Sequence, residues 1–116
     1  MSSTGPATTE ATAYPTHPVA DVHQVLSALA DPIRLEIVRR LSRAGGGPTP
    51  CAALYDGVSK STASHHFKTL REAGLTERSV ETGQSCQRLR VTEVEQALPG
   101  VLAAVLRAAD DLTPPQ

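Results

Sequence analysis

The chain has 116 residues and a formal net charge of −1; 40% of its residues are hydrophobic, 20% charged and 3% aromatic. A chain of this length builds one domain around a small aliphatic core, and its aromatics, Tyr14, Tyr55 and Phe67, are too few for a platform that stacks single-stranded bases. The longest apolar run, Val101 to Leu106, is far too short to cross a bilayer, no signal peptide is visible, and the two cysteines suit a reducing cytoplasm better than a disulfide framework.

Residues 1–18 are rich in Ser, Thr, Ala and Pro without apolar periodicity and read as a disordered arm; residues 113–116 read as a flexible tail, leaving 19–112 as the folded domain. Val22, Val25, Leu26 and Leu29 form a stripe on one face of a first helix. Asp31 followed by Pro32 is a cap-then-proline start for a second helix carrying Ile33, Ile37, Val38 and Leu41, which Gly45-Gly46-Gly47-Pro48 ends. Thr49-Pro50 repeats that signal and predicts a short third helix through Leu54. Ser59 is placed to cap a fourth helix that runs to about Ala73 and closes at Gly74.

Beyond Gly74 the period changes. Leu75 to Val80 and Cys86 to Val91 read as two strands of a hairpin with a flexible tip at Glu81–Ser85. Thr92-Glu93-Val94-Glu95 matches a capping box, and Pro99 interrupts soon after, so a short turn and then a last helix starting near Pro99 are expected. The order is mainly α with a β-hairpin wing, α-α-α-α-β-β-α. Two short helices joined by a Gly-containing turn and followed by a hairpin form the winged helix-turn-helix layout.

The charge distribution supports that layout. Between Ser59 and Arg90 six basic residues face three acidic ones, giving +3, so the rest of the chain carries −4. On the fourth helix Ala63, Phe67, Leu70 and Gly74 gather on one side at about 100° per residue, with Ser61, His65 and Lys68 roughly opposite and Ser64 and Arg71 on one flank. Hydroxyls and imidazole donate to base edges or phosphates, and cations neutralise phosphates. Small residues at the helix start let its N-terminus enter a major groove. An ordinary solvated helix would also be polar on one face; Arg78, Arg88 and Arg90 on the hairpin favour DNA.

The segment Ala28-Leu29-Ala30-Asp31-Pro32-Ile33-Arg34-Leu35-Glu36-Ile37-Val38 strongly resembles the start of the ArsR/SmtB family of bacterial transcription regulators, and Ser59 to Leu75 resembles that family's recognition helix. The resemblance covers roughly Val22 to Leu106. It implies a cytoplasmic homodimer, joined through its first and last helices, that binds a palindromic double-stranded operator and usually represses. The expected contacts are Ser61, Thr62, Ser64 and His65 on base edges, Lys60, Lys68, Arg71 and Arg88 on phosphates, and Gly83 and Gln84 of the hairpin tip on the minor groove or backbone. Ser59 starts this surface, and His66 matches a family histidine with a structural or phosphate-contacting role.

The signal is left open. Members of this family often release DNA on binding metal, but the Cys-x-Cys pair common on the third helix is missing here: Cys51 is followed by Ala52 and Ala53. The carboxylate and His set of the last helix is represented by Asp110 and Asp111 without a His. Cys51 and Cys86 could form a reversible disulfide, serve as isolated metal ligands, or be a small buried residue and a strand residue. His17, Asp21 and His23 could meet Asp110 or Asp111 across a dimer to hold nickel or zinc. No cofactor is assigned. A protein–protein module on the same fold is the remaining rival, and enzyme chemistry lacks an orienting acid, an oxyanion loop or a P-loop lysine.

Overall fold

Local capping sets the first two helices. The computed structural model describes residues 16–112. In α1 (Val22–Leu29) the Asp21 carboxylate accepts from the Gln24 N–H at 2.9 Å, and Val25, Ala28 and Leu29 are buried. In α2 (Pro32–Arg43) the Asp31 carboxylate accepts from the N–H groups of Ile33 at 2.9 Å and Arg34 at 3.0 Å, with Pro32 in the first turn. Arg40 and Arg43 in its last turn complement the helix dipole.

Thr49-Pro50 departs from the sequence expectation. Instead of opening a helix, the pair forms a two-residue strand, β1 (Thr49–Pro50), followed by a single 3-10 turn over Cys51–Ala53. Thr49 pairs with Gln87 and Pro50 with Cys86 at the edge of the sheet. An edge position tolerates proline's missing N–H, and the open edge of the hairpin outcompetes a local cap.

The next helix, α3 (Lys60–Glu72), starts where the sequence predicts: Ser59 Oγ accepts from the Thr62 N–H at 3.1 Å. Its C-terminus is a Schellman motif, in which Leu75 N–H donates to Leu70 O at 3.1 Å and Gly74 N–H to Arg71 O at 2.9 Å. That motif needs a left-handed residue, and Gly74 supplies it with φ +79°.

Strands β2 (Thr76–Glu81) and β3 (Gln84–Leu89) pair antiparallel, giving a three-stranded sheet in the order β1-β3-β2. The turn is shorter than the five-residue tip expected. Glu81 pairs with Gln84, leaving Thr82 and Gly83 as a two-residue type I′ turn with φ of +48° and +80°.

The capping box at Thr92 is not used. Helix α4 (Val91–Ala97) starts one residue before it, with Arg90 in the cap position and no side-chain cap bond. Arg90 sets this start because tertiary contacts hold it: its N–H donates to Leu75 O at 2.9 Å, and Nη1 donates to Gly74 O at 2.9 Å and His17 O at 2.6 Å. The last helix, α5 (Val101–Leu112), follows a joint at Gly100, whose N–H donates to the Glu95 carboxylate at 3.1 Å.

Leu residues from every layer close the core: Leu29, Leu41, Leu54, Leu70, Leu75, Leu89 and Leu102 are buried together with Val25, Ile37, Val38 and Val94. Val22 and Leu26 of α1 and Val91 of α4 remain large and exposed. Of the expected arm, residues 1–15 lie outside the described residues, as do 113–116. His17 and Pro18 are described and pack against Arg90 and Gly74.

Candidate nucleic-acid interface

Packing of one face of α3 decides which side chains are left outside. Ala63, His66, Phe67 and Leu70 are buried, with the Phe67 ring edge-on to Tyr55 at 6.0 Å. Lys60, Ser61, Thr62, Ser64, His65 and Lys68 are exposed, and Arg71 is half-buried. The outward face therefore carries hydroxyls, an imidazole and cations, with no bulky aliphatic side chain. Ser59 is exposed but engaged as the cap, its hydroxyl also 3.0 Å from Thr62 Oγ1.

His66 points inward. The residue is 8% exposed, and Nδ1 accepts from Arg34 Nη1 at 3.1 Å with Asp31 Oδ2 at 3.9 Å. Arg34 was not singled out from the sequence. Its Nε donates to Ala28 O at 2.7 Å, so one guanidinium joins the end of α1, the start of α2 and the buried face of α3. The available signal was the pairing of an arginine three residues after the capping aspartate with a histidine on the core side of the next long helix. Burial raises the Asp31 pKa, but the N–H groups of Arg34 and Ile33 and the nearby positive charge outweigh it and hold the carboxyl below its ordinary 3.8.

The hairpin arginines divide. Arg88 Nε donates to Glu77 at 2.6 Å and Nη2 to Glu93 at 3.2 Å, and the Glu77 bond foremost raises its pKa. Two carboxylates hold this guanidinium, which fits a tie between the wing and α4 better than a phosphate anchor. Arg90 is buried, and Arg78 is half-buried on the side of the hairpin that faces α3. Gly83 and Gln84 are exposed at the tip.

The cysteines are free thiols, Cys51 half-buried and Cys86 buried. Cys51 Sγ lies 3.4 Å from Ser85 Oγ and 3.9 Å from Gln87 Nε2. Ser85 and Gln87 flank Cys86 in β3, and alternation along a strand sends Cys86 to the other face. Burial pushes the Cys86 thiol above its ordinary 9.0. Among the described residues no group of three His, Cys, Asp or Glu side chains converges to hold a metal. His23 is exposed on α1, Asp21 caps that helix, and Asp110 is held by Arg39 at 2.9 Å and Arg43 at 3.1 Å of α2. No helix among the described residues is long and apolar enough to cross a membrane.

Comparisons with known proteins converge on one class. A family model described as a helix-turn-helix domain matches residues 29–79, the stretch from the end of α1 into β2. The chain is 40% identical over 81 residues to the uncharacterized HTH-type transcriptional regulator YceK of Bacillus subtilis (strain 168), covering 68% of this chain and 80% of that protein. Among solved structures it resembles the transcriptional repressor BigR from Xylella fastidiosa, with TM-score 0.60 and 25% identity over 82% of this chain and 88% of that one. It also resembles the homodimeric winged helix-turn-helix DNA-binding domain of Mb0332 from Mycobacterium bovis, a possible ArsR-family regulator, with TM-score 0.61 and 27% identity over 80% of this chain and 82% of that one. By fold, by motif and by its 40% identity to the Bacillus protein, this chain belongs to the helix-turn-helix transcriptional regulators.

Proposed function

We propose that the protein is a homodimeric repressor that binds a palindromic duplex operator in the cytoplasm and leaves it in response to an effector. The observation that carries this reading is the exposed polar face of α3, which sits beside the hairpin as a recognition helix sits beside its wing. Ser61, Thr62, Ser64 and His65 read base edges; Lys60, Lys68 and Arg71 contact phosphates, and Gly83 and Gln84 reach the backbone or minor groove from the tip. Ser59 orders the helix N-terminus against phosphate. His66 and Arg88 act one step back, holding α3 and the wing in position through Arg34, Glu77 and Glu93.

Dimerisation uses α1 and α5. Val22 and Leu26 are exposed on α1, Val101, Val105 and Leu106 are half-buried on α5, and the Mycobacterium neighbour is homodimeric. For both copies of α3 to enter successive major grooves, the two-fold axis must place them about one DNA turn apart, roughly 34 Å. The repressor role is supported by the Xylella neighbour.

The test is binding to the DNA upstream of the protein's own gene across a salt series. Lys68→Ala is expected to weaken all duplexes alike and lower the salt slope by about 1 per contact, whereas Ser64→Ala changes the ranking of operator variants. Binding with no sequence preference and no salt dependence would sink the proposal.

A further inference from the structure

Between the 3-10 turn, α3 and the hairpin lies a cleft of about 370 Å³, a volume in the range of small-molecule sites, roughly 300–1,000 Å³. Its lining is mixed. It carries the cationic side chains of Lys60, Arg71 and Arg78, and no carboxylate lines it among the described residues. Phe67, on the same stripe of α3 as Lys60 and Arg71, adds an apolar part together with Pro50 and Tyr55, whose ring meets Phe67 edge-on. Beneath them Gln87 is 1% exposed, its Nε2 directed to Cys51 while Oε1 finds no donor among the described residues. A buried acceptor without a donor is unfavourable unless something entering from the cleft supplies one.

We infer that this cleft is an effector site for a small organic anion with a flat apolar body, and that filling it opposes operator binding. The regulatory half rests on the DNA-binding reading above. The cations would hold the acid group, and Tyr55 and Phe67 would cover the ring. Lys60, Ser64 and Arg71 belong both to the cleft and to the proposed DNA surface. An anion seated there cancels positive charge that otherwise meets phosphates, and it occupies the space between recognition helix and wing. Coupling is therefore negative, and by linkage operator DNA weakens ligand binding by the same factor.

The probe is 4-hydroxybenzoate, titrated calorimetrically into the full chain without DNA, beside phosphate (charge without a ring) and phenol (a ring without charge). 4-Hydroxybenzoate is expected to bind at least about tenfold tighter than either control and, at saturation, to weaken operator binding about tenfold. Ala52→Leu enlarges an exposed side chain at the cleft wall, outside the proposed DNA contacts. This variant should lose the ligand while keeping its melting temperature and its operator affinity. Phosphate binding as tightly as 4-hydroxybenzoate would make the cleft a plain seat for a DNA phosphate and overturn the inference. Equal binding of phenol, undiminished binding to Ala52→Leu, or ligand binding with no effect on operator affinity would each overturn it as well. Ligand binding by a protein that binds no DNA would instead refute the DNA reading and leave the cleft as a ligand site.

Discussion

Gly74→Ala tests the joint between α3, the wing and the N-terminal segment. Gly74 has φ +79°, where an L-residue is disfavoured by about 1–2 kcal/mol. A Cβ at this position would also lie 2.5 Å from Val19 Cα and 2.7 Å from the Pro18 carbonyl carbon, and would overlap the Pro18 carbonyl oxygen. Carbon atoms in contact sit about 3.5–4.0 Å apart, so the backbone at Pro18 and Val19 must retreat by about 1 Å. That retreat pulls on the His17 carbonyl bonded to buried Arg90 and on the bond from Ala20 N–H to Ala73 O. Leaving one such buried group unsatisfied costs about 1–3 kcal/mol. The expected loss is therefore about 2–5 kcal/mol, or, for a loss near 3 kcal/mol, a fall of roughly 12–24 °C in Tm for a domain of this size. Gly57→Ala is the control: its φ is +73°, yet nothing lies within 4 Å of a new Cβ, so it carries the conformational strain alone. Urea unfolding of both variants at one protein concentration separates strain from overlap. If Gly74→Ala unfolded no more readily than Gly57→Ala, the close packing of the N-terminal segment on the end of α3 would not stabilise the fold.

Asp31→Ala removes the acceptor of two helix N–H groups and is expected to cost about 1–2 kcal/mol in the same assay. Because the folded Asp31 carboxyl titrates below 3.8, its contribution is complete above that pH and drains away as pH falls through the lowered value; Asp31→Asn should flatten this part of an acid-unfolding curve, and an unchanged curve would contradict it. Iodoacetamide at pH 8 should label half-buried Cys51 well before buried Cys86, read by peptide mass, and equal rates would refute the stated burial. Leu26→Lys, at a residue 45% exposed on α1, should shift sedimentation toward monomer, since a leucine buried at the dimer interface contributes about 1.5–3 kcal/mol per protomer; an unchanged dimer would remove α1 from the interface.

The sequence resolved the elements whose boundaries are local. Asp31-Pro32, Ser59 and Gly74 act through bonds within a few residues of themselves, so α2 and α3 begin and end where the chain says. The polar face of α3 was legible for the same reason: one apolar stripe buries, and the remaining positions stay outside. Thr49-Pro50 and Thr92 failed in the same manner as each other. Each carries a sound local cap signal, but the edge of β3 captured the first and the buried Arg90 displaced the second. Arg88 looks like a DNA contact by residue type, and the sequence leaves His66 between a structural and a phosphate-contacting role. Their partners Glu77 and Glu93, and Arg34, are supplied by other elements and are invisible to periodicity.

The shortage of aromatics set a firm bound: an aliphatic domain without a platform for stacking single-stranded bases. Chain order and spacing then determined the helix-turn-helix and its wing, because caps, glycines and apolar stripes act over short separations. Tertiary structure alone decided which of the basic residues between Ser59 and Arg90 stand outward. Arg90 is tied to carbonyls and Arg88 to carboxylates, while Lys60 and Lys68 stay exposed. A cation's availability depends on what the fold packs against it, and those neighbours come from distant parts of the chain.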